Sequence, residues 1–323
     1  MTLTYDFRLP PGPRTVEYAK MAEQFGYGRV WVPEVPAFGH DIWITMARIA
    51  ENTTRIGMGP AVLIPSYRHP LAQASAIATV AQLAPGRLWV GLGTGFTGRG
   101  GLKLPPLTLK FMARYITQLR ALLNGEVTDT DDGGIAQLSA SEGWLPPRPI
   151  GVPLLLASAG PRGQALARQV ADGLIGSAAP GFDRCIVPCT GTVLDEGEDP
   201  ATGRARAAIA PIVATSYHGA YTRDPESVRR LPNGDAWLES VQKLPERVRH
   251  LSVHTGHTVD LSNGHDELVD TSIAPRVTFT GTRDQLRARL EALEAAGATG
   301  VIFSTGGADV PRDMRAFAEL AGL

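Results

Sequence analysis

Cysteine is nearly absent: the 323 residues hold two, Cys185 and Cys189. That count excludes a disulfide framework, and the spacing matches no common zinc or redox pattern, so a reducing cytoplasm is the expected compartment. Charge of one sign is equally scarce. With 31 Lys and Arg against 32 Asp and Glu, the formal net charge is -1, and a chain without a broad positive field is not built to grip nucleic acid or an anionic membrane. Apolar runs are short, Val152 to Ala159 being among the longest, against the about 18 residues of a membrane span. Met1 to Asp6 carries no basic stretch before an apolar one, so no signal peptide is expected.

What is present is a globular composition, 43% apolar and 20% charged, enough to build a core. The expected partners are small molecules or protein. Gly (36) and Pro (25) together make about a fifth of the chain, well above their combined usual share of about 12%, which implies many tight connections.

Strand and helix signals alternate along the chain. Thr4 to Leu9 reads as a strand, and after Pro10, Pro11, Gly12 and Pro13 a helix, Arg14 to Phe25, ends at Gly26. Arg29 to Glu34 is the second strand, Asp41 opens a helix, and Ile56 to Leu63 is the third strand. Helix Leu71 to Leu83, strand Arg87 to Gly93, helix Thr108 to Leu123, strand Pro153 to Ser158, helix Gly163 to Val170 and strand Gly173 to Ser177 follow. A weaker helix, Phe182 to Leu194, leads to Arg206 to Thr215, whose continuous apolar run suits a seventh strand covered on both faces. Helix Arg283 to Ala296, an eighth strand, Gly300 to Ser304, and helix Arg312 to Leu320 complete the chain. Eight such units without a break in composition predict an α/β fold of the (β/α)8 TIM-barrel type over residues 1–323 as one domain, an open doubly wound sheet being the alternative. Gly98 to Pro106 and a helical insertion at 220–275 after strand seven would sit over the C-terminal face, while Gly125 to Arg148 reads as a hairpin turning at Asp132, Gly133 and Gly134.

Gly93, Thr94, Gly95, Phe96, Thr97 and Gly98 spell GxGxxG after a strand. The dinucleotide fingerprint also needs a helix opening in that loop, and the glycines and Pro105-Pro106 that follow argue against one. What remains is close backbone approach, to a planar cofactor ring or to a tight barrel interior. Ser158, Gly160, Pro161, Arg162 and Gly163 offer a hydroxyl, free N–H groups and a cation at a helix start, the chemistry of a phosphate site, or a plain capped turn. Glu34 ends strand two at the mouth of the barrel, with His40 and Asp41 in the same loop; the plain alternatives are a salt bridge for Glu34 and an N-cap for Asp41. His250, His254, His257 and His265 raise a metal site, but the Ser, Val, Thr and Gly between them weaken the helix that would align them, and Asp260 and Asp266 are at no ligand spacing. No metal is expected; these histidines read as lining the insertion. No GxSxG elbow is present, which leaves covalent hydrolysis without support.

Ile56-Gly57-Met58-Gly59-Pro60-Ala61-Val62-Leu63-Ile64-Pro65-Ser66-Tyr67-Arg68-His69-Pro70 resembles the bacterial luciferase-like superfamily, particularly the branch of methylenetetrahydromethanopterin reductase and other coenzyme F420-dependent enzymes, where a Gly-Val segment leads to Asn-Pro-Tyr-Thr-Arg-His-Pro. Val30 to Glu34, Leu92 to Gly95, Ala157 to Arg162 and Ala171-Asp172-Gly173 extend the resemblance over most of residues 14–178. It implies a deazaflavin, or alternatively FMN, whose ring lies across Ala61, Val62, Gly93 and Gly95 and whose phosphate is held by Ser158, Gly160, Pro161, Arg162, Gly176 and Ser177. It implies a non-prolyl cis peptide at Ala61–Val62, hydride transfer to or from a small organic substrate, and a homodimer. Glu34 is the candidate acid/base, assisted by His40 or His69, although His69 before Pro70 also suits a helix start. Ala61 replaces the family's glycine, Leu63 and Ile64 its Thr-Asn, and Thr94 stands where Arg is common. A reduced-FMN monooxygenase and a barrel that binds a small molecule without catalysis are the competing readings.

Overall fold

The computed structural model describes residues 3–253, 261, 264–307 and 309–323. Eight strands, β1 (Thr4–Arg8), β2 (Arg29–Val32), β3 (Gly57–Pro60), β4 (Val90–Leu92), β5 (Leu154–Ala157), β6 (Gly173–Ile175), β7 (Cys185–Thr190) and β8 (Gly300–Ser304), form one sheet in the order 3-2-1-8-7-6-5-4. The pairs 1–2, 2–3, 4–5, 5–6 and 6–7 are parallel. Parallel bridges Met58–Leu88 and Leu63–Leu92 join the two ends of that order. Between them the β3 side carries one residue more than the β4 side, a bulge that falls on the segment containing the cis Ala61–Val62 peptide. The arrangement is the TIM barrel the alternation predicts.

The longer helices among the described residues are α1 (Thr15–Gln24), α2 (Ile42–Asn52), α3 (Pro70–Leu83), α4 (Leu109–Asn124), α5 (Pro161–Val170), α6 (Gly203–Arg223), α7 (Gly234–Gln242), α8 (Arg283–Ala295) and α9 (Val310–Ala321). Their ends follow local chemistry. The Thr108 hydroxyl accepts the Phe111 N–H at 3.2 Å to start α4, and Gly125, at φ 83°, stops it in the left-handed region. The predicted hairpin is present, with Thr128–Asp129 paired to Ile135–Ala136 across the Asp132-Gly133-Gly134 turn.

Two expectations are corrected. Arg206 to Thr215 lies inside α6, and Phe182 to Leu194, read as a helix, holds β7; no helix separates β6 from β7. A continuous apolar run has no period to distinguish a buried helix from a buried strand. Four alanines in 206–215 favour the helix in spite of Pro211, whereas Ile186 and Val187 favour the strand, with Pro188 exposed. A short helix, Phe96–Gly100, also opens within the GxGxxG loop, where none was expected.

The chain divides into two compact units, one of Met1–Gly98, Pro105–Val187 and Glu294–Val301, the other of Arg99–Leu104, Pro188–Leu293 and Ile302–Leu323. In the first, glycines make room for large neighbours. A Cβ on Gly57 would stand 2.8 Å from the Arg29 guanidinium, and one on Gly59 2.3 Å from the Trp89 carbonyl oxygen. In the second, α6 and α7 pack around the fully buried Trp237, which meets Tyr217, Tyr221 and His265 with ring centroids 5.3–5.9 Å apart. Among the described residues no helix is long and apolar enough to cross a membrane.

Candidate active site

Glu34 follows β2 and is buried. Its Oε2 accepts the Ile64 N–H at 2.7 Å, and its Oε1 lies 3.9 Å from Arg68 Nε. Burial raises the Glu34 pKa; the Ile64 N–H and the Arg68 charge oppose it, and nearby Asp41 adds to the rise. Asp41 caps α2, accepting the Trp43 N–H at 2.9 Å and the Ile44 N–H at 3.1 Å, and its other oxygen pairs with Arg68 Nη2. Burial works against the Asp41 charge, but the Ile44 N–H and Arg68 outweigh it and hold the carboxyl below its ordinary value. The Tyr115 hydroxyl donates to the Arg68 carbonyl at 3.0 Å, and burial, then the Glu34 charge, push its pKa up. Arg68 therefore bridges both carboxylates of this loop, a part not singled out in the sequence although it stands inside the Tyr67-Arg68-His69-Pro70 run.

Beside Glu34 the bulge supplies a floor. Val62 packs on Gly93 so closely that a Cβ there would stand 2.5 Å from Val62 Cγ2, and one on Gly91 would stand 2.8 Å from Ile175 Cδ1. Gly95 has φ 77°, a conformation open to glycine. Ala61 and Val62 are half-buried, without polar side chains, which suits the face of a planar ring.

The residues expected to hold a phosphate stand around the start of α5. Helix α5 begins at Pro161 after Gly160, with no side-chain cap on its first N–H groups. Arg162 and Ser177 are exposed beside the half-buried Ser158 and Gly176. The segments interlock: Cβ atoms on Gly163 and Gly176 would stand 1.8 Å from Ser158 Oγ and 2.1 Å from the Ser158 carbonyl oxygen. Uncapped donors at a helix start, two hydroxyls and a cation fit a phosphate.

The histidines are less convergent. His69 caps α3, its Nδ1 accepting the Leu71 N–H at 3.2 Å, and its Nε2 lies 3.7 Å from Asp132 of the hairpin. His40 is half-buried in the loop before α2. His250 sits in the short helix Arg249–Val253 and the buried His265 meets Trp237 edge-on, whereas His254 and His257 lie outside the described residues. Among the described residues no three His, Cys, Asp or Glu side chains are grouped to hold a metal ion.

A further set of charged groups lies deep in the same unit. The Trp31 indole donates to Asp6 at 2.8 Å, and the Arg29 guanidinium stacks 3.6 Å above the Trp89 ring, over which Arg184 lies at 5.1 Å. Burial raises the Asp6 pKa to about 6, partly offset by Arg29 and Trp31. Residues from four separate stretches meet here, and no short motif announces them.

Comparisons with known proteins give the chain a family. A profile of the luciferase-like monooxygenase family matches residues 5–300. An F420-dependent hydroxymycolic acid dehydrogenase of Mycobacterium tuberculosis is 30% identical over 65% of this chain and 62% of the relative, so the chain spans under two thirds of that protein. An F420-dependent glucose-6-phosphate dehydrogenase of Kineococcus radiotolerans is 26% identical over 95% of this chain and 91% of its own length. The structure of the coenzyme F420-dependent tetrahydromethanopterin reductase of Methanopyrus kandleri is similar with a TM-score of 0.68, at 18% identity, over 99% of this chain and 98% of that one.

Proposed function

The chain belongs to the luciferase-like monooxygenase family, and from that premise we propose that it is a coenzyme F420-dependent oxidoreductase acting on a small organic substrate. The named relatives support F420, and one observation carries the chemistry: Glu34, buried at the end of β2, stands beside an apolar floor with its proton affinity raised. When bound, the deazaflavin supplies or takes up hydride at its C5.

The chain's own residues bind, orient and move a proton. Ala61, Val62, Gly93 and Gly95 carry the ring; the α5 start, with Ser158, Gly160, Pro161, Arg162, Gly176 and Ser177, holds the phosphate. Glu34 transfers a proton at Oε1, the oxygen not bound to the Ile64 N–H, to or from the substrate oxygen. Ile64 and Arg68 steady the carboxylate once the proton has gone. His40 assists from the same loop, and His69 holds the start of α3, behind Arg68. The reading includes a homodimer in the cytoplasm.

Fluorescence titration of the purified chain with coenzyme F420 and with FMN tests this reading. Micromolar or tighter binding of F420 is expected. A preference for FMN would favour the reduced-FMN monooxygenase, and binding of neither the barrel without catalysis.

A further inference from the structure

Arg8 ends β1, paired in register with Trp31, and the Leu9 N–H donates to the Trp31 carbonyl at 2.8 Å. Side chains two apart on a strand share a face. Asp6, two residues earlier, bonds the Trp31 indole. Arg8 thus stands on that face, one level nearer the strand ends where Glu34 follows β2. It is half-buried.

The other inward-set arginines of this unit are answered. Arg29 feels the Asp6 charge and stacks on the Trp89 ring although its Nε has no hydrogen-bond partner, Arg68 has Asp41 and Glu34, and Arg87 donates to Thr53 and to the carbonyls of Ala50 and Ile56. The Arg8 side chain has no hydrogen bond, ion pair or ring contact among the described residues. No carboxylate acts on its charge: Asp6 Oδ2 takes the Trp31 indole, and Glu34 takes the Ile64 N–H and lies near Arg68. Desolvation alone acts on its pKa, lowering it. A half-buried guanidinium without a counter-charge is open to an anion that would supply one.

We propose that Arg8 is a substrate-recognition residue whose guanidinium binds an oxyanion, carboxylate or phosphoryl, carried by the substrate. The fork of N–H donors matches either group in bidentate fashion. Calling the anion the substrate's rests on the functional reading above; the binding of an oxyanion at Arg8 does not.

The test is thermal unfolding of chains carrying Arg8, R8M or R8K, each with R162Q so that the α5 start contributes little. Inorganic phosphate and, separately, acetate are titrated at constant ionic strength. The Arg8 chain is expected to show a saturable rise in melting temperature, with affinity roughly ten- to hundredfold weaker in R8M. R8K, keeping the charge without the fork, falls between. A larger response to phosphate assigns a phosphoryl group, and a larger response to acetate a carboxylate. An equal rise in R8M, or none in any chain, overturns the proposal. Coenzyme F420 binding, measured in Arg8 and R8M chains without R162Q, should be unchanged by R8M; a parallel loss would place Arg8 on the cofactor and overturn the substrate assignment. If the unaltered chain binds no F420, the functional reading fails while the anion result stands.

Discussion

Alanine at Gly93 would place its methyl group 2.5 Å from Val62 Cγ2 and 3.2 Å from Val62 Cβ, with the Ala157 Cβ at an ordinary 3.7 Å. The first distance is about 1 Å inside normal carbon contact. A β-branched valine cannot swing away freely, so the strand or the valine must shift, an overpacking cost of about 2 kcal/mol. Val62→Ala alone removes the offending Cγ2 from a half-buried side chain and should cost about 1 kcal/mol. In the double variant the 3.2 Å approach remains, which needs movement of only a few tenths of an ångström. The pair should therefore cost about 1.5 kcal/mol rather than the roughly 3 kcal/mol of two independent changes, a coupling of about 1.5 kcal/mol. Urea unfolding followed by tryptophan fluorescence measures this, since Trp31 and Trp89 lie in the same unit. Single-variant costs that add to within about 0.5 kcal/mol would refute the contact and the floor built on it.

Asp6→Asn probes the buried charges. The Asp6 carboxyl holds its proton up to about pH 6 in the folded chain against an ordinary 3.8. With the folded value the higher, its stabilising contribution is complete below 3.8 and is lost as pH rises through about 6, a swing of about 3 kcal/mol. The asparagine variant should lack that fall in a pH series of unfolding curves; the same slope in both chains would sink the assignment. Glu34→Gln leaves the Ile64 N–H an amide oxygen to donate to, so F420 affinity should hold while turnover drops at least about a hundredfold. Steady-state rates decide it, unchanged turnover removing Glu34 from the chemistry.

A strand such as β2 was legible because Arg29 to Val32 is a short β-rich run between the turn at Gly26 and Gly28 and the amphipathic α2. The seventh strand was not, because Arg206 to Thr215 and Cys185 to Thr190 are both apolar without a period, and length and alanine content decide between them. The placing of Glu34 after β2 and of Ser158 to Gly163 at a helix start was legible through linear motifs. Arg68 was hidden in plain sight between Tyr67 and His69, its partners lying 27 and 34 residues earlier. Arg8 and the Asp6–Trp31–Arg29 set were invisible, since nothing in a linear run says which side chains of separate strands share a level.

Four crowded glycines of the first unit form two pairs with different futures under mutation. Gly57 and Gly93 are opposed by side chains, those of Arg29 and Val62, and such a pair can be traded: the neighbour shrinks first and the glycine then grows. Gly59 and Gly176 are opposed by main-chain oxygens, which no substitution can trim, so at those two positions there is no viable path away from glycine while the strands keep their register. Divergence through this interior would proceed by paired exchanges around a small set of immovable points.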